Sequence, residues 1–432
     1  MVTVEKLYDL FKQHPVICTD TRKITSGCLF FALKGENFDA NQFAESAIGA
    51  GAAYAIIDNE SYQKDDRFLL VEDVLKALQD LATFHRSQLN IPFIGITGTN
   101  GKTTTKELVN SVLSQHYRTY ATQGNLNNHI GVPLTVLSIT PDIEVAIIEM
   151  GANHQKEISF LCQIAQPGYG LITNVGKAHL EGFGGFEGVK IAKGELYQYL
   201  SNTNGTVFIN HDNSHLLEMS AEHGVKKAVY YGTGEDNFLT GQLINQSPLQ
   251  LRWNKGQETQ SEVTAHLTGT YNFENILAAI TLGSFFNLSV DEINAGISSY
   301  VPTNNRSQIK KTLSNTVICD YYNANPSSMA MALENLIGTS AENKGFILGD
   351  MFELGQESES EHRQVLEKAS NLKSARKIYV GKEFYAVKND DGEFYETVTQ
   401  AQEAIKAKPF GNATILVKGS RGMKLETLMD LL

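Results

Sequence analysis

The chain has 432 residues, of which 42% are hydrophobic and 19% are charged, and its formal net charge is −12. This length exceeds that of one ordinary domain and indicates two or three. The composition is that of a soluble globular protein. The acidic charge argues against nucleic acid as the main partner, because a phosphate backbone requires a basic surface. Any anionic ligand must be held by local features of the fold.

The cellular location is suggested by the amino terminus and by the cysteines. The first fifteen residues lack the uninterrupted apolar core of a signal peptide, and no stretch has the length of a membrane span. The four cysteines, Cys18, Cys28, Cys162 and Cys319, lack C-x-x-C spacing. Buried reduced thiols are favoured over disulfides or a metal site. We therefore expect a cytoplasmic protein without membrane insertion.

The first part of the chain, residues 1–84, mixes short apolar runs with turn residues and contains an amphipathic helix near 72–86. The apolar run at 92–98 then predicts a buried strand that leads through a loop into a helix beginning at Lys102. Further buried strands are predicted at 144–151, 170–176 and 206–212. Alternation of such strands with helices predicts a parallel α/β sheet.

The pattern changes between about 226 and 268, where a hydrophobic period of two predicts an antiparallel edge. Helices are predicted at 272–286 and 289–300, the second with a capping box formed by Ser289 and Glu292. Residues 301–308 read as a linker, after which strand–helix alternation restarts. We expect three domains, at 1–84, 85–301 and 302–432.

The stretch "GITGTNGKTTT" (95–105) has the composition of a phosphate-binding loop. Its glycines let backbone N–H groups approach phosphate oxygens, Lys102 supplies a positive charge, and the Thr103 hydroxyl is a ligand for Mg²⁺. Ile96 stands where the usual phosphate-loop pattern has glycine, so the loop is shorter than usual. The alternative is an ordinary glycine-rich turn between a strand and a helix.

Two strand ends strengthen the phosphate-loop interpretation. Glu149 ends the strand predicted at 144–151, and His179 follows the strand predicted at 170–176. If these strands are neighbours of the loop strand, both side chains converge with Thr103 beyond the carboxyl ends of the sheet, where open α/β sheets bind ligands. Such ligands suit Mg²⁺ or Mn²⁺. Taken singly, Glu149 is read as a surface residue and His179 as a hydrogen-bonded one.

These residues, together with stretches that span nearly the whole chain, resemble the Mur ligase family of ATP-dependent amide ligases in peptidoglycan precursor synthesis. The short loop "GTNGKTTT" is that family's form, which accounts for Ile96. The other matching stretches are "GNLNNHIGVPLTVL" (124–137), "EMGANHQKEI" (149–158), "TNVGKAHLEGFG" (173–184), "AKGEL" (192–196), "DYYNANPSSM" (320–329), "LGDMFELG" (348–355) and "VKGSRGMKLE" (417–426).

The resemblance implies an architecture and a reaction. The architecture is a small α/β UDP-binding domain, a central phosphate-loop ATPase domain with a parallel sheet, and a C-terminal Rossmann-like α/β domain. The reaction implied joins D-alanyl-D-alanine to UDP-N-acetylmuramoyl-tripeptide through an acyl phosphate, with ATP and two Mg²⁺ ions (or Mn²⁺). A monomer that closes its domains around the site is expected.

The resemblance also implies a role for each matched residue. Lys102, Lys193 and His179 are the implied catalytic residues. Lys193 is expected to be carbamylated, although "AKGE" alone favours an ordinary helix lysine paired with Glu195 or solvent. The implied metal ligands are Thr103, Glu149, His179 and Lys193. The implied nucleotide contacts are Gly98, Thr99, Asn100, Gly101, Lys102, Thr103, Thr104, Asn272 (adenine), Arg306 (γ-phosphate) and Asp320.

Substrate contacts are implied at Thr21, Arg22, Asn127, Asn323 and Asn325. Weaker candidates for the same cleft are Lys418, Ser420 and Arg421, for which a solvated basic loop is a comparable interpretation. The sequence departs from the family pattern at Asp39-Ala40-Asn41, where relatives often have D-G-H, and this puts the UDP contacts in question.

Three alternative functions are retained from the sequence. One is the sister ligase that adds a diamino acid to the UDP-muramoyl-dipeptide, which shares the N-terminal domain type. Another is a nucleotide-binding protein without ligase activity, and the third is a phosphate-loop kinase or transport ATPase. The segments "YNANP" and "GDMFELG" favour the dipeptide-adding ligase over its sister. The intact set of Lys102, Thr103, Glu149, His179 and Lys193 argues against a protein without ligase activity. A kinase or transport ATPase would need a second acidic magnesium motif and would lack "NLNN" and "YNANP".

Overall fold

The computed structural model describes residues 1–246, 248–256, 259–373 and 376–432. Within these residues the amino-terminal part contains a parallel sheet of four strands in the order β1-β2-β5-β6, beside a short antiparallel hairpin of β3 and β4. The strands are β1 (Ile17–Cys18), β2 (Leu29–Phe31), β3 (Lys34–Gly35), β4 (Phe38–Asp39), β5 (Tyr54–Ile57) and β6 (Phe68–Leu70).

The described part of the central sheet has nine strands in the order β15-β14-β13-β12-β11-β10-β7-β9-β8. All neighbours are parallel except the pairs β13–β14 and β14–β15. The strands are β7 (Phe93–Thr97), β8 (Thr119–Ala121), β9 (Val145–Glu149), β10 (Tyr169–Ile172), β11 (Thr206–Asn210), β12 (Ala228–Gly232), β13 (Leu239–Gln246), β14 (Leu249–Lys255) and β15 (Thr259–Ala265).

The carboxy-terminal sheet, as far as it is described, has six strands in the order β16-β17-β21-β18-β19-β20. Only β16 is antiparallel to its neighbour. The strands are β16 (Gln308–Lys311), β17 (Thr316–Asp320), β18 (Lys344–Gly349), β19 (Arg376–Val380), β20 (Glu393–Tyr395) and β21 (Thr414–Lys418).

Helices cover the sheets and carry most of the connections between parallel strands, as such connections require. Their bounds are α1 (Val4–Gln13), α2 (Ala44–Gly49), α3 (Val74–Gln88), α4 (Lys102–Leu113), α5 (Gly131–Leu137), α6 (Glu157–Ala165), α7 (Leu180–Phe183), α8 (Phe186–Asn202), α9 (Ser214–Glu222), α10 (Asn272–Phe285), α11 (Val290–Ser299), α12 (Pro326–Gly338), α13 (Ser358–Ser370), α14 (Lys382–Ala386) and α15 (Val398–Ala407).

The predicted α/β class is confirmed. Strand β7 is buried along its whole length, because helices lie on both faces of the sheet, and this explains its continuous apolar run. The capping box of Ser289 and Glu292 forms at the start of α11. The antiparallel edge is present, although β12 at its start pairs in parallel.

Two details differ from the sequence-based expectation. The sequence analysis did not predict β8, which has three residues and lies at the edge of the sheet. The proposed linker is one residue too long, since Gln308 is already the first residue of β16 and pairs with Cys319 of β17.

Helix α3 joins the amino-terminal and central parts of the molecule. It packs against α1 of the amino-terminal part and against α5 and α6 of the central part, and it continues past residue 84 without a break. The four cysteines are buried and free, as predicted. No described helix combines the length and the apolar character needed to cross a membrane.

Candidate active site

The phosphate loop follows β7 and requires glycine at two positions. Gly98 has φ +142°, and a Cβ atom there would lie 2.0 Å from Thr173 Oγ1. Gly101 has φ +77° and precedes the first residue of α4. Ile96 is a fully buried strand residue whose register partners are Leu171 and Glu149. The loop therefore starts at Gly98, and position 96, where the usual pattern has glycine, belongs to the strand.

A second segment, directly after β10, holds this loop in place. The Asn100 N–H donates to Asn174 Oδ1 at 3.0 Å, and the Thr99 N–H donates to the Asn174 carbonyl at 2.9 Å. The Thr173 hydroxyl donates to the Asn100 carbonyl at 2.6 Å. The sequence analysis missed Asn174, although it lies inside the matched stretch at 173–184.

The side chain of Lys102 folds back onto the phosphate loop. Its Nζ donates to the carbonyls of Gly98 and Thr99, at 2.8 Å each. Burial lowers the pKa of Lys102 to about 8; the nearby Glu149 carboxylate opposes this effect, and Arg306 adds to it. Part of the side chain still faces the open cleft, so the ammonium group can turn toward an incoming anion.

The conditional prediction about strand neighbours is confirmed, because β9 and β10 flank β7. Glu149 ends β9 and accepts a hydrogen bond from Asn127 Nδ2 at 2.8 Å on Oε1. Its Oε2 and the Thr103 hydroxyl are buried and lack a hydrogen-bond partner among the described residues. Two buried oxygens without a donor are a suitable start for a site of a hard cation such as Mg²⁺.

The described residues contain no group of three or more His, Cys, Asp or Glu placed to hold a metal ion by themselves. A cation at Thr103 and Glu149 could complete its coordination with phosphate oxygens and water. This is the usual way in which Mg²⁺ binds together with a nucleotide.

His179 is the N-cap residue of α7, has φ +50°, and lines the cleft. Its Nδ1 lies against the carboxylate of Glu353, which follows β18, and the two form an ion pair only when the imidazole is protonated. Burial lowers the pKa of His179, the Glu353 carboxylate opposes the shift, and Lys102 adds to it. The sequence analysis missed Glu353.

Lys193 on α8 is 3% exposed. Its Nζ has one long contact, 3.4 Å to the Ala152 carbonyl, and lies 5.1 Å from the centre of the Phe183 ring. Burial lowers the pKa of Lys193 to about 7, and the nearby charge of Lys102 adds to this effect. The alternative pairing with Glu195 is absent, because that carboxylate accepts the N–H groups of Lys156 and Ser159 instead.

These residues surround a cavity of about 860 Å³. The predicted residues that line it are Thr99, Asn100, Gly101, Lys102, Thr104, Asn127, Glu149, His179, Asn272, Arg306, Asp320, Asn323, Asn325 and Lys418. Gly98, Thr103 and Lys193 lie behind the cavity surface. Thr21 and Arg22 lie in the amino-terminal part, after β1, and are not among the lining residues.

The carboxy-terminal part supplies a charged wall of the cavity. Asp320 accepts a hydrogen bond from the Ser307 N–H at 3.1 Å and an ion-pair contact from Lys418 Nζ at 2.6 Å. Lys418 is therefore already neutralised. The Arg306 guanidinium stacks 3.9 Å from the centre of the Tyr322 ring, and its Nε is buried without a partner among the described residues. Arg306 is thus available to an anion in the cavity.

The two weaker candidates after β21 do not line the cavity. Ser420 is buried and accepts the Phe352 N–H at 3.0 Å. Arg421 is exposed, and its guanidinium group lies 5.3 Å from the centre of the Tyr322 ring.

Asn272 starts α10, and its amide group is engaged within the protein. It donates to the Thr268 carbonyl at 2.7 Å and accepts from Asn275 Nδ2 at 2.9 Å. Asn275 in turn accepts the Thr105 hydroxyl at 3.0 Å. This chain of hydrogen bonds fixes α10 against the helix of the phosphate loop. Asn275 was not singled out by the sequence analysis.

The substitution at Asn41 also has a structural explanation. Asn41 is fully buried, and its Nδ2 donates to Asp39 Oδ1 at 2.7 Å and to Asp58 Oδ1 at 2.8 Å. Its Oδ1 accepts the Asp58 N–H at 3.1 Å. Asn41 therefore links the β3–β4 hairpin to the end of β5.

Comparisons with known proteins place this geometry in a family. Family models match three consecutive parts of the chain: a Mur ligase family catalytic domain at residues 15–86, a Mur ligase middle domain at 96–283, and a Mur ligase glutamate ligase domain at 305–421. A curated relative from Escherichia coli K12 is 37% identical, with 96% of this chain and 93% of the relative covered. The chain belongs to the Mur ligase family.

That relative is a UDP-N-acetylmuramoyl-tripeptide–D-alanyl-D-alanine ligase. A ligase of the same name from Bacillus subtilis is 36% identical, with 96% of this chain and 92% of the relative covered. Among solved structures, MurF from Acinetobacter baumannii is 31% identical with a TM-score of 0.86, covering 96% of this chain and 92% of that one. MurF from Thermotoga maritima, solved with ADP, shares the fold at 24% identity and a TM-score of 0.85, with 96% of both chains covered.

Membership of the Mur ligase family agrees with the way in which the cavity is assembled. Its walls come from the central and the carboxy-terminal sheets, which correspond to two separate family models. The fold therefore supplies one site from two domains.

Proposed function

We propose that this Mur ligase joins D-alanyl-D-alanine to UDP-N-acetylmuramoyl-tripeptide at the expense of ATP. The observation that carries the proposal is the shared cavity: the phosphate loop on one wall faces the Asn323–Asn325 loop on the other. A site assembled in this way can hold a nucleotide and an acceptor together. The names of the full-length relatives described above support the same choice of substrates.

The chemistry requires activation of a carboxylate, because oxide is too poor a leaving group for direct amide formation. In the first step a carboxylate oxygen of the tripeptide attacks the γ-phosphorus of ATP, and ADP leaves. In the second step the amine of D-alanyl-D-alanine attacks the acyl carbon, loses a proton, and displaces phosphate. The first step brings two anions together, so charge neutralisation dominates its barrier.

The protein's own cations carry part of that neutralisation. Lys102 would exchange its two loop carbonyls for phosphate oxygens, which compensates the desolvation that lowers its pKa. Arg306 adds a second positive charge from the carboxy-terminal side of the cavity, with a free Nε. Both groups are partly buried, and this reduced contact with water makes their attraction for phosphate stronger than it would be at a fully exposed surface.

We infer that Thr103 and Glu149 hold one Mg²⁺ ion and that His179 and Lys193 lie beside a second; Mn²⁺ has the same ligand preferences. Mg²⁺ bound there supplies positive charge to the phosphate oxygens and to the substrate carboxylate. The unpartnered oxygens of Thr103 and Glu149 support the first site.

We further infer that Lys193 is carbamylated. A buried ammonium with one long hydrogen bond, close to a second lysine, is poorly stabilised as a cation. Its lowered pKa leaves a large neutral fraction near pH 7 to 8, and the neutral amine is the form that adds CO₂. The product is an anion that would offset Lys102 and ligate or orient a cation.

The remaining assignments concern the domains and the protein's setting. We propose domains at 1–84, 85–301 and 302–432, with the UDP moiety bound by the first through Thr21 and Arg22. For Asn272 we retain an adenine contact through the one amide N–H that is left free, and for Asp320 a ribose contact. The four buried free thiols suit a reducing compartment, which supports the cytoplasm, and a monomer is the simplest assembly.

The test is a phosphate-release assay with UDP-N-acetylmuramoyl-tripeptide, ATP and Mg²⁺, with and without D-alanyl-D-alanine. We expect sustained release only when both acceptor and dipeptide are present. Equal release with a single diamino acid and the UDP-muramoyl-dipeptide would instead identify the sister ligase. Nucleotide binding without release under any combination would favour a binding protein that has lost ligation.

A further inference from the structure

One short segment, Asn174–His179, contacts both the phosphate loop and the carboxy-terminal part of the molecule. It leaves β10 at the centre of the large sheet and ends where α7 begins. We call these six residues the coupling segment. The coupling segment contacts the phosphate loop through neutral hydrogen bonds, whereas its contacts with the carboxy-terminal part include an ion pair.

On the phosphate-loop side the contacts are a set of neutral hydrogen bonds. Asn174 pairs with Asn100 in both directions, at 3.0 and 3.1 Å. The Gly176 N–H donates to Thr99 Oγ1 at 3.0 Å. The conformation of the loop is therefore tied to that of the coupling segment.

On the other side the contacts reach two helices of the carboxy-terminal part. The Lys177 N–H donates to Ser327 Oγ, in the first turn of α12, at 2.8 Å. Lys177 Nζ donates to Glu361 Oε1 on α13 at 2.6 Å. The side chain of Lys177 is 45% exposed, whereas that of Glu361 is 3% exposed.

The difference in burial between Lys177 and Glu361 affects the free energy of domain docking. A carboxylate removed from water needs a partner, and the loss of one partner from a buried pair is costly because a charge is left uncompensated. Glu361 receives its ion-pair partner from the other domain. If the domains separate, Glu361 loses the lysine but regains water, so the penalty is relieved by opening and not by unfolding.

We propose that Lys177 and Glu361 are positioning residues that dock the carboxy-terminal domain onto the coupling segment. When the carboxy-terminal domain is in place, this pair holds the coupling segment against it. Gly176 and Asn174 are then fixed, and their hydrogen bonds fix the phosphate loop. The nucleotide contacts are thus completed together with the acceptor side of the cavity. The kinetic part of this inference rests on the proposed function, whereas the docking itself does not.

The test compares Lys177→Met with the parent protein by small-angle X-ray scattering, with saturating Mg²⁺ and a non-hydrolysable ATP analogue. Lys177→Met leaves Glu361 unpaired, so we expect a larger radius of gyration than that of the parent. The double variant Lys177→Met/Glu361→Leu also lacks the docking pair but carries no unpaired charge, so it should expand less than Lys177→Met. Lys177→Arg should remain compact.

A matched control is Glu334→Gln. It breaks the ion pair between Glu334 and Lys368, which joins α12 to α13 within the carboxy-terminal part. This variant should leave the radius of gyration unchanged. In the ligation assay we expect Lys177→Met to raise the KM for D-alanyl-D-alanine by about tenfold, with a smaller effect on kcat, which matches the loss of a modest domain-docking contact.

An unchanged radius of gyration in Lys177→Met would overturn the proposal whatever the kinetics. So would a parent protein as expanded as this variant, since the pair would then not hold the domains together. Because scattering needs no turnover, failure of the proposed ligase activity would leave this measurement interpretable. A lower melting temperature without expansion would make the pair a simple stabilising contact and would also overturn the proposal.

Discussion

Asn325 Nδ2 donates a hydrogen bond to Asn100 Oδ1 at 2.9 Å, and this contact joins the phosphate loop directly to the carboxy-terminal domain. The two residues are 225 positions apart in the chain. Asn325 is at the same time the N-cap of α12, where its Oδ1 accepts the Ser328 N–H at 2.8 Å. One amide group therefore caps a helix with its oxygen and reaches across the active-site cavity with its nitrogen.

The two roles of Asn325 can be separated by substitution. Asn325→Asp keeps the cap but loses the donor, so we expect the stability of the parent and a lower kcat/KM in phosphate release. Asn325→Ala loses both and should also destabilise the domain by about 1 kcal/mol. Urea unfolding and the release assay check this pair. Equal activity of Asn325→Asp and the parent would show that the contact with Asn100 has no functional role.

Lys102→Ala should abolish ligation while leaving the fold intact, because the side chain contacts loop carbonyls and solvent and does not pack in the core. Removing a charge contact that acts on the transition state costs roughly 3–4 kcal/mol or more, which corresponds to a rate loss of several hundredfold. Steady-state turnover and circular dichroism provide the measurements. A variant within tenfold of the parent in turnover would disprove the phosphate role.

Lys193→Ala should be nearly inactive, and added acetate or formate should restore part of the turnover by occupying the place of the carbamate anion. The matched control is Lys190→Ala, one turn earlier on α8, which removes a lysine that pairs with Glu187 and Glu218 instead. That variant should keep its activity and should not respond to carboxylic acids. A fully active Lys193→Ala protein would refute the carbamate.

The lowered pKa of Lys193 predicts that the stability of the folded protein depends on pH in CO₂-free buffer. The folded-state pKa is lowered from 10.5 to about 7. Between these values the unfolded chain binds the proton and the folded protein does not, so the free energy of unfolding rises with pH, by at most about 1.4 kcal/mol per unit. Lys193→Met removes this contribution.

We therefore expect denaturant titrations of the parent and of Lys193→Met to diverge across this window, with the parent gaining stability relative to the variant as the pH rises. Parallel pH profiles for the two proteins would mean that the pKa of Lys193 is close to its ordinary value. In that case the main physical argument for its carbamylation would be lost.

The local sequence determined the elements and the phosphate loop. A buried strand, glycines at 98 and 101 and a helix starting at Lys102 are all encoded within a dozen residues, because backbone conformation and hydrophobic period are local properties. The positions of Glu149 and His179 at strand ends were also readable. Their convergence depended on the order of strands β10-β7-β9, which the sequence analysis could state only as a condition.

What the tertiary structure alone decided is which side chains meet across domains. The sequence around Lys177 gives no sign of its contact with Glu361, and the sequence around Asn100 gives no sign of its contact with Asn325. Each pair is brought together only when one folded sheet docks on another. The same holds for Asn41, whose three hydrogen bonds explain a departure that the sequence left open. Burial, and with it the lowered pKa values of Lys102 and Lys193, is likewise a property of the assembled molecule, because desolvation depends on every neighbour that excludes water.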